Sequence, residues 1–200
     1  MNLPNKLSLL RVFLVPIFMV FYLCDFGFGI WQYVVAAVIY MAAGFTDFLD
    51  GSIARKHGWV TNLGKFLDPL ADKFMVMTSL LCLCYVSAIK AETSVDEIYG
   101  ALLVVASAIV IFRELAITSM RLVAASTDGS VIAAAYLGKL KTVTQMVFTT
   151  FAIVEPAFYD FGLSVFNDHI ISFVLMGLMT IMTLWSGIDY MKGYWKYIKE

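Results

Sequence analysis

The sequence predicts an all-α integral membrane protein with six transmembrane helices, a short interfacial segment at the N-terminus and both termini in the cytoplasm. Three observations carry that prediction. Hydrophobic residues make up 61% of the 200 and charged residues 14%, where a soluble domain has about 45 to 50% apolar and about 25% charged. The mean hydropathy is +0.84, and the apolar residues gather in six runs near the roughly 20 residues a helix needs to cross a bilayer. The Lys and Arg residues collect at one set of run ends, as the positive-inside rule requires. The 16 Phe, 10 Tyr and 4 Trp exclude a disordered chain. Six spans leave no length for a soluble domain, so residues 1–200 are read as one membrane-embedded domain.

Charge, Gly and Pro set the boundaries of each run. The first extends from Leu7 to Phe28, behind a lead-in of Pro4, Asn5, Lys6, Ser8 and Arg11 that suits the interface. Only 13 residues lie between Arg11 and Asp25, so Arg11 is expected to snorkel to the headgroups, or the helix to begin at an angle. No A-x-A-like cleavage site follows, and bulky Leu23 precedes Cys24, which reads as an uncleaved span. The second run covers Trp31 to Ala54. The third covers Pro69 to Ile89, where Pro69 fits a first helical turn and makes Asp68 the expected N-cap. The fourth, fifth and sixth cover Ile98 to Leu122, Leu137 to Val154 and Ile170 to Tyr190. Cys24, Cys82 and Cys84 form no C-x-x-C pair and read as packed thiols without a disulfide framework.

With the N-terminus inside, only Lys90 of the 14 Lys and Arg falls on the outer side. Asp25, Glu92, Asp96, Glu97, Glu155, Asp160 and Asp168 fall at the outer ends. The net charge of −1 excludes the basic field that nucleic-acid binding requires. Nothing resembles an organelle presequence, so the expected location is the cytoplasmic membrane of a prokaryotic cell, multi-pass.

Against this background four carboxylates stand out: Asp47, Asp50, Asp68 and Asp72. A charge at bilayer depth costs about 2.5 to 3.5 kcal/mol even on lenient scales, so such groups line polar cavities and mark function. A lone acid near a helix end reaches water cheaply, but four acids converging from two adjacent spans do not fit that reading. On a helix, Gly44, Asp47, Gly51 and Ala54 form one stripe, with Asp50 about 60° to its side. Asp68 and Asp72 share a face at i, i+4. Four oxygen donors without a His or Cys partner describe a hard-cation site, Mg²⁺ or Mn²⁺, with room for two ions. Without such cations the carboxylates would repel one another. Two ions clamp the attacking and leaving oxygens of phosphoryl transfer, which points to a phosphate-bearing substrate. His57 and His169 lie off the Asp stripe and read as interfacial.

The segment Asp47-Phe-Leu-Asp50-Gly51-Ser-Ile-Ala54-Arg55, followed after eight residues by Gly64-Lys-Phe-Leu-Asp68-Pro-Leu-Ala-Asp72, resembles the D-x-x-D-G-x-x-A-R-x8-G-x-x-x-D-x-x-x-D signature of the CDP-alcohol phosphatidyltransferases at every fixed position. The resemblance implies a membrane homodimer that moves the phosphatidyl group of CDP-diacylglycerol to an alcohol and releases CMP, with its active site facing the cytoplasm. By the same resemblance, Asp47, Asp50, Asp68 and Asp72 hold two divalent cations, and Asp72 also takes the proton from the incoming hydroxyl. Gly51, Ala54 and Arg55 face the CDP moiety, with Asn5 and Ser8 nearby. Ser8 stands where Thr is more usual in the family, and it keeps the hydroxyl.

The acceptor rests on the basic residues. Arg113 lies within a run of Ala, Ile, Val and Phe beside Glu114, which places it toward the bundle interior. Arg121, Lys139 and Lys141 fit either a phosphate site or the positive-inside rule alone. The stretches Phe112-Arg113-Glu114 with Arg121, and Gly138-Lys139-Leu-Lys141-Thr142, resemble family members whose acceptor is sn-glycerol 3-phosphate and whose product is phosphatidylglycerol phosphate. That likeness implies that Arg113, Arg121, Lys139 and Lys141 hold the acceptor phosphate and that Glu114 orients an arginine. Inositol phosphate, serine or a lipid alcohol are alternative acceptors. A cation-coupled transporter is the alternative from another class, opposed by the absence of an inverted repeat and by polar groups gathered toward one side.

Overall fold

The computed structural model describes residues 3–57, 62–127, 136–160 and 169–198. They form six helices: α1 (Leu3–Leu23), α2 (Trp31–His57), α3 (Asn62–Ile89), α4 (Ser94–Thr127), α5 (Tyr136–Asp160) and α6 (Ile170–Ile198). No strand occurs among the described residues. Four segments are long and apolar enough to cross a membrane: Asn5–Leu23, Phe66–Ile89, Ser94–Ala124 and Ile170–Trp195, with a shorter apolar stretch at Trp31–Thr46. Large apolar side chains cover the outside, Phe112 at 75%, Leu122 at 74% and Trp31 at 67% exposure among them. In water such a surface would be an aggregation liability, and against lipid it is the expected exterior.

The bundle is two groups of three. α1 packs on α2 and α3, α6 packs on α4 and α5, and the pairs α2–α5 and α3–α4 join the groups. Small residues allow the close approach. On α2 the positions Ala36, Ala37, Tyr40, Ala43 and Gly44 are buried at helical spacing. A Cβ on Gly44 would collide with the Met146 methyl of α5. Phe18, Tyr22, Tyr33 and Tyr40 continue that seam as an aromatic cluster, with Phe18–Tyr22 centroids 5.6 Å apart and Phe18–Tyr40 5.8 Å.

Connections follow local chemistry. Between α1 and α2 the backbone turns at Gly27 and Gly29, at φ 73° and 54°, and Gly27 donates its N–H to Asp25 Oδ1 at 2.8 Å. α4 opens with a reciprocal cap: Asp96 donates its N–H to Thr93 Oγ1 (3.2 Å), and Thr93 donates its own to Asp96 Oδ2 (2.9 Å). His169 takes a left-handed φ of 53°, and its carbonyl accepts the Phe173 N–H at 2.8 Å as α6 begins.

Two local expectations need correction. α3 begins at Asn62, so Asp68 is no N-cap and Pro69 lies inside the helix. Proline removes a single backbone donor there, a defect the long flanking helix tolerates. Arg11 does not snorkel outward: it is fully buried, and its Nε donates to Thr46 Oγ1 of α2 at 3.5 Å. The N-terminal lead-in is itself part of α1, which is helical from Leu3.

Candidate functional site

Signature residues come from α2 and α3. α2 carries Asp47, Asp50, Gly51, Ala54 and Arg55 in its last turns, and their side chains lie outside the described residues. Asp68 and Asp72 stand one helical turn apart on α3. Ser8 of α1, fully buried, donates its hydroxyl to Asp68 Oδ1, which ties the N-terminal helix to the signature. Asn5, one turn earlier on α1, is 4% exposed.

Among the described residues no three His, Cys, Asp or Glu side chains group as a metal site. Asp68 and Asp72 nonetheless fit hard divalent cations by donor chemistry, because they are carboxylates with no soft donor beside them and Ser8 orients one of them.

Beyond Asp72 opens a cavity of about 230 Å³ lined by Asp72, Val76, Arg113, Glu114, Arg121, Gly138, Lys139, Lys141, Thr142, Gln145 and Tyr190. Thus α3, α4, α5 and α6 each contribute a wall. The four basic residues read from the sequence as acceptor ligands all line this one cavity together with Asp72. Glu114 is its organiser: Oε1 accepts from Arg113 Nη1 at 2.9 Å and from Lys141 Nζ. Arg113 Nη2 donates to Ser186 Oγ of α6 at 3.0 Å. Its buried Nε has no hydrogen-bond partner among the described residues. Arg121 donates to the Tyr190 hydroxyl at 3.1 Å, and both guanidinium groups lie over the Tyr190 ring, at 5.6 Å and 5.2 Å.

Burial separates the two lysines. Lys141 is 4% exposed and belongs to the inner face of α5 with Gln145, Phe148, Thr149 and Ala152, whereas Lys139 is exposed at the rim. Gly138 fits under Tyr190, because a Cβ there would lie 3.2 Å from its hydroxyl. Sequence reasoning missed Tyr190, Ser186 and Gln145. Gln145 carried the signal that singled out Arg113, a polar group within an apolar run; Ser186 and Tyr190 gave none.

At the other end of the bundle a second cavity, about 570 Å³, is lined by residues including Tyr22, Tyr33, Lys90, Asp96, Tyr99, Glu155 and His169. His169 stacks on Tyr99 at 4.3 Å and bridges Glu155 (2.8 Å) and Asp96 (3.2 Å). Burial of the ring pushes its pKa down, but the hydrogen bond and charge of Glu155, with those of Asp96, outweigh this and raise it above the usual histidine value. Lys90 donates to the Tyr33 hydroxyl.

The family model for CDP-alcohol phosphatidyltransferases matches residues 1–185. A Bacillus subtilis (strain 168) protein named CDP-diacylglycerol–glycerol-3-phosphate 3-phosphatidyltransferase is 34% identical over 207 aligned positions, covering 99% of this chain and 97% of the relative. Proteins of the same name from Yersinia enterocolitica (31% identical; 100% of this chain, 98% of the relative) and Pseudomonas fluorescens (29%; 100% and 93%) also match along their length. A family match over most of the sequence, with relatives aligned end to end, means that the chain belongs to the CDP-alcohol phosphatidyltransferase family of enzymes.

Proposed function

We propose that this enzyme transfers the phosphatidyl group of CDP-diacylglycerol to sn-glycerol 3-phosphate, forming phosphatidylglycerol phosphate and CMP. The observation that carries the reading is the cavity beside Asp72. Its four cationic side chains, Arg113, Arg121, Lys139 and Lys141, outnumber the carboxylates Asp72 and Glu114 by two. That excess matches a phosphate monoester, which carries about −1.5 to −2 at neutral pH. A serine or neutral lipid acceptor would leave those charges uncompensated. The names of the aligned relatives support the same acceptor, and family membership leaves a cation-coupled transporter without support.

In the proposed reaction the four basic side chains hold the acceptor phosphate, Lys141 from the inner wall and Lys139 from the rim, with Arg113 kept in place by Glu114 and Ser186. The free primary hydroxyl then faces Asp72, whose carboxylate takes its proton. The acceptor oxygen attacks the lipid-bearing phosphorus in line, a new P–O bond forms, and the bond from that phosphorus to the CMP oxygen breaks. Arg55, Asn5 and Ser8 border the CDP moiety in this reading. Asp47, Asp50, Asp68 and Asp72 would hold two Mg²⁺ or Mn²⁺ ions, which neutralise diphosphate charge when bound. No side chain forms a covalent intermediate. The chain acts as a multi-pass protein of the cytoplasmic membrane, with six spans, the site facing the cytoplasm, and a homodimer as its assembly.

The test is CMP release by purified, detergent-solubilised protein from CDP-diacylglycerol with Mg²⁺ or Mn²⁺, with and without glycerol 3-phosphate, beside Asp72→Asn and a chelated control. Release that requires metal, Asp72 and glycerol 3-phosphate together supports the assignment. Release that ignores glycerol 3-phosphate but responds to inositol phosphate or serine overturns the acceptor.

A further inference from the structure

Of the polar side chains lining the acceptor cavity that the proposed reaction does not use, Thr142 and Tyr190 have hydrogen-bond partners and Gln145 has none among the described residues. Gln145 of α5 is 2% exposed and lines the cavity one helical turn from Lys141. Neither its Oε1 nor its Nε2 has a hydrogen-bond partner among the described residues. A primary amide has two donors and an acceptor, and leaving both ends unpaired inside a protein is unfavourable unless something else satisfies them. At a purely structural position on this face, which continues through Phe148 and Ala152, Leu or Met would pack as well without that penalty.

We propose that Gln145 binds the secondary hydroxyl of the acceptor, so that the enzyme distinguishes a phosphorylated glycerol from other phosphorylated primary alcohols. This rests on the acceptor reading above. Once the cations hold the phosphate and Asp72 meets the reacting primary hydroxyl, glycerol 3-phosphate has one polar group left, the hydroxyl between them. A hydroxyl both donates and accepts, which matches the two unpaired ends of the amide. The contact also orients the substrate: with phosphate and central hydroxyl fixed, the primary hydroxyl is directed to Asp72, an entropic contribution to rate as well as to binding. Gln145 is therefore a specificity and positioning residue rather than a proton carrier.

The experiment compares glycerol 3-phosphate with 3-hydroxypropyl phosphate, which lacks only the central hydroxyl, on wild type and Gln145→Met. For wild type, kcat/KM should fall about 10- to 100-fold on removing the hydroxyl, because the amide is left unpaired. Gln145→Met should lower kcat/KM for glycerol 3-phosphate by a similar factor and treat the two acceptors alike, within about threefold. Gln145→Leu serves if the Met variant does not survive purification. A wild type indifferent to the hydroxyl, or a variant that still discriminates fully, overturns the proposal while leaving the acceptor assignment standing. If wild type releases CMP with neither acceptor, the acceptor reading fails and this inference fails with it.

Discussion

At one end of the bundle His169 sits between Asp96 and Glu155 while Lys90 rests on Tyr33; at the other, Asp72, Glu114 and four cations surround a smaller space. Arg113 stands 17 residues beyond Asp96 on α4, about 25 Å along the helix. The first end has the larger cavity, about 570 Å³ against about 230 Å³. Its charges, however, close on one another: the histidine is shared by two acids, and among the described residues that line this cavity the one buried side-chain atom left without a hydrogen-bond partner is Glu155 Oε1. The second end keeps bonding capacity in reserve, in an excess of positive charge, the Arg113 Nε and a whole glutamine amide. On the proposed acceptor reading, unused polar capacity in the lining, rather than cavity size, distinguishes the end that takes the ligand. The other end reads as a clasp joining the start of α4, the later turns of α5 and the start of α6, away from Asp72.

The strongest way to break this contrast is at the acid. Asp72→Asn should lower CMP release by about 10²- to 10⁴-fold, the usual scale for removing a general base, and chelation of divalent ions should abolish release until Mg²⁺ or Mn²⁺ is restored. Glu155→Gln, at a carboxylate more deeply buried than Asp72 but in the clasp, should leave kcat within a few-fold of wild type. Equal losses at both ends would remove the distinction.

Next in size is the phosphate wall. Removing a charged hydrogen-bonding partner is worth about 1.5 to 3 kcal/mol, so Arg113→Ala should raise the KM for glycerol 3-phosphate by about 10- to 100-fold with little change for CDP-diacylglycerol. Lys90→Ala removes an equal charge from the other end and should leave both constants unchanged. Steady-state kinetics with each substrate varied in turn decides between these outcomes.

The clasp should show itself in stability instead. Because the folded-state pKa of His169 is raised, the imidazolium bridge contributes fully below the unfolded pKa of about 6.5 and is lost as pH rises through the folded value. Thermal unfolding in detergent should therefore show wild type losing a few degrees of Tm between about pH 6 and about pH 9 relative to His169→Gln, with kcat at neutral pH little changed in the variant. A parallel decline in the two proteins would mean that His169 is not the clasp.

How much of this was legible in the sequence follows from the range of the interactions. Six helices were readable because hydrophobic run length is local, and the predicted start of the last run at Ile170 coincides with that of α6. The cavity's cations were readable as types, but whether Lys139 or Lys141 turns inward depends on which face of α5 meets the bundle, and the buried series Lys141, Gln145, Phe148 settles it. The start of α3 was misplaced because Pro69 fits a first turn as well as it fits a tolerated interior position. The triad of Asp96, Glu155 and His169 was invisible, since it joins three helices across 73 residues of sequence. The partnership of Tyr190 with Arg121 is likewise tertiary, spanning 69 residues.

The finest test of the contrast concerns packing at the working end. Gly138 lies beneath Tyr190, where an added Cβ would meet the hydroxyl at 3.2 Å and the ring at 3.3 Å. These separations are slightly tight, so Gly138→Ala should fold and should displace Tyr190 by a few tenths of an ångström. That shift acts on Arg121, whose Nη2 is held by the same hydroxyl at 3.1 Å, and on the cation–π contact beneath both arginines. Because the arginines keep their charge, the expected effect is a two- to fivefold rise in KM for glycerol 3-phosphate, about 0.4 to 1 kcal/mol, with kcat nearly unchanged. Gly177→Ala, on α6 with open space around its Cβ, is the control and should do neither. If Gly138→Ala leaves KM unaltered, Tyr190 does not position Arg121 for the acceptor, and the ordering of this cavity rests on Glu114 and Ser186.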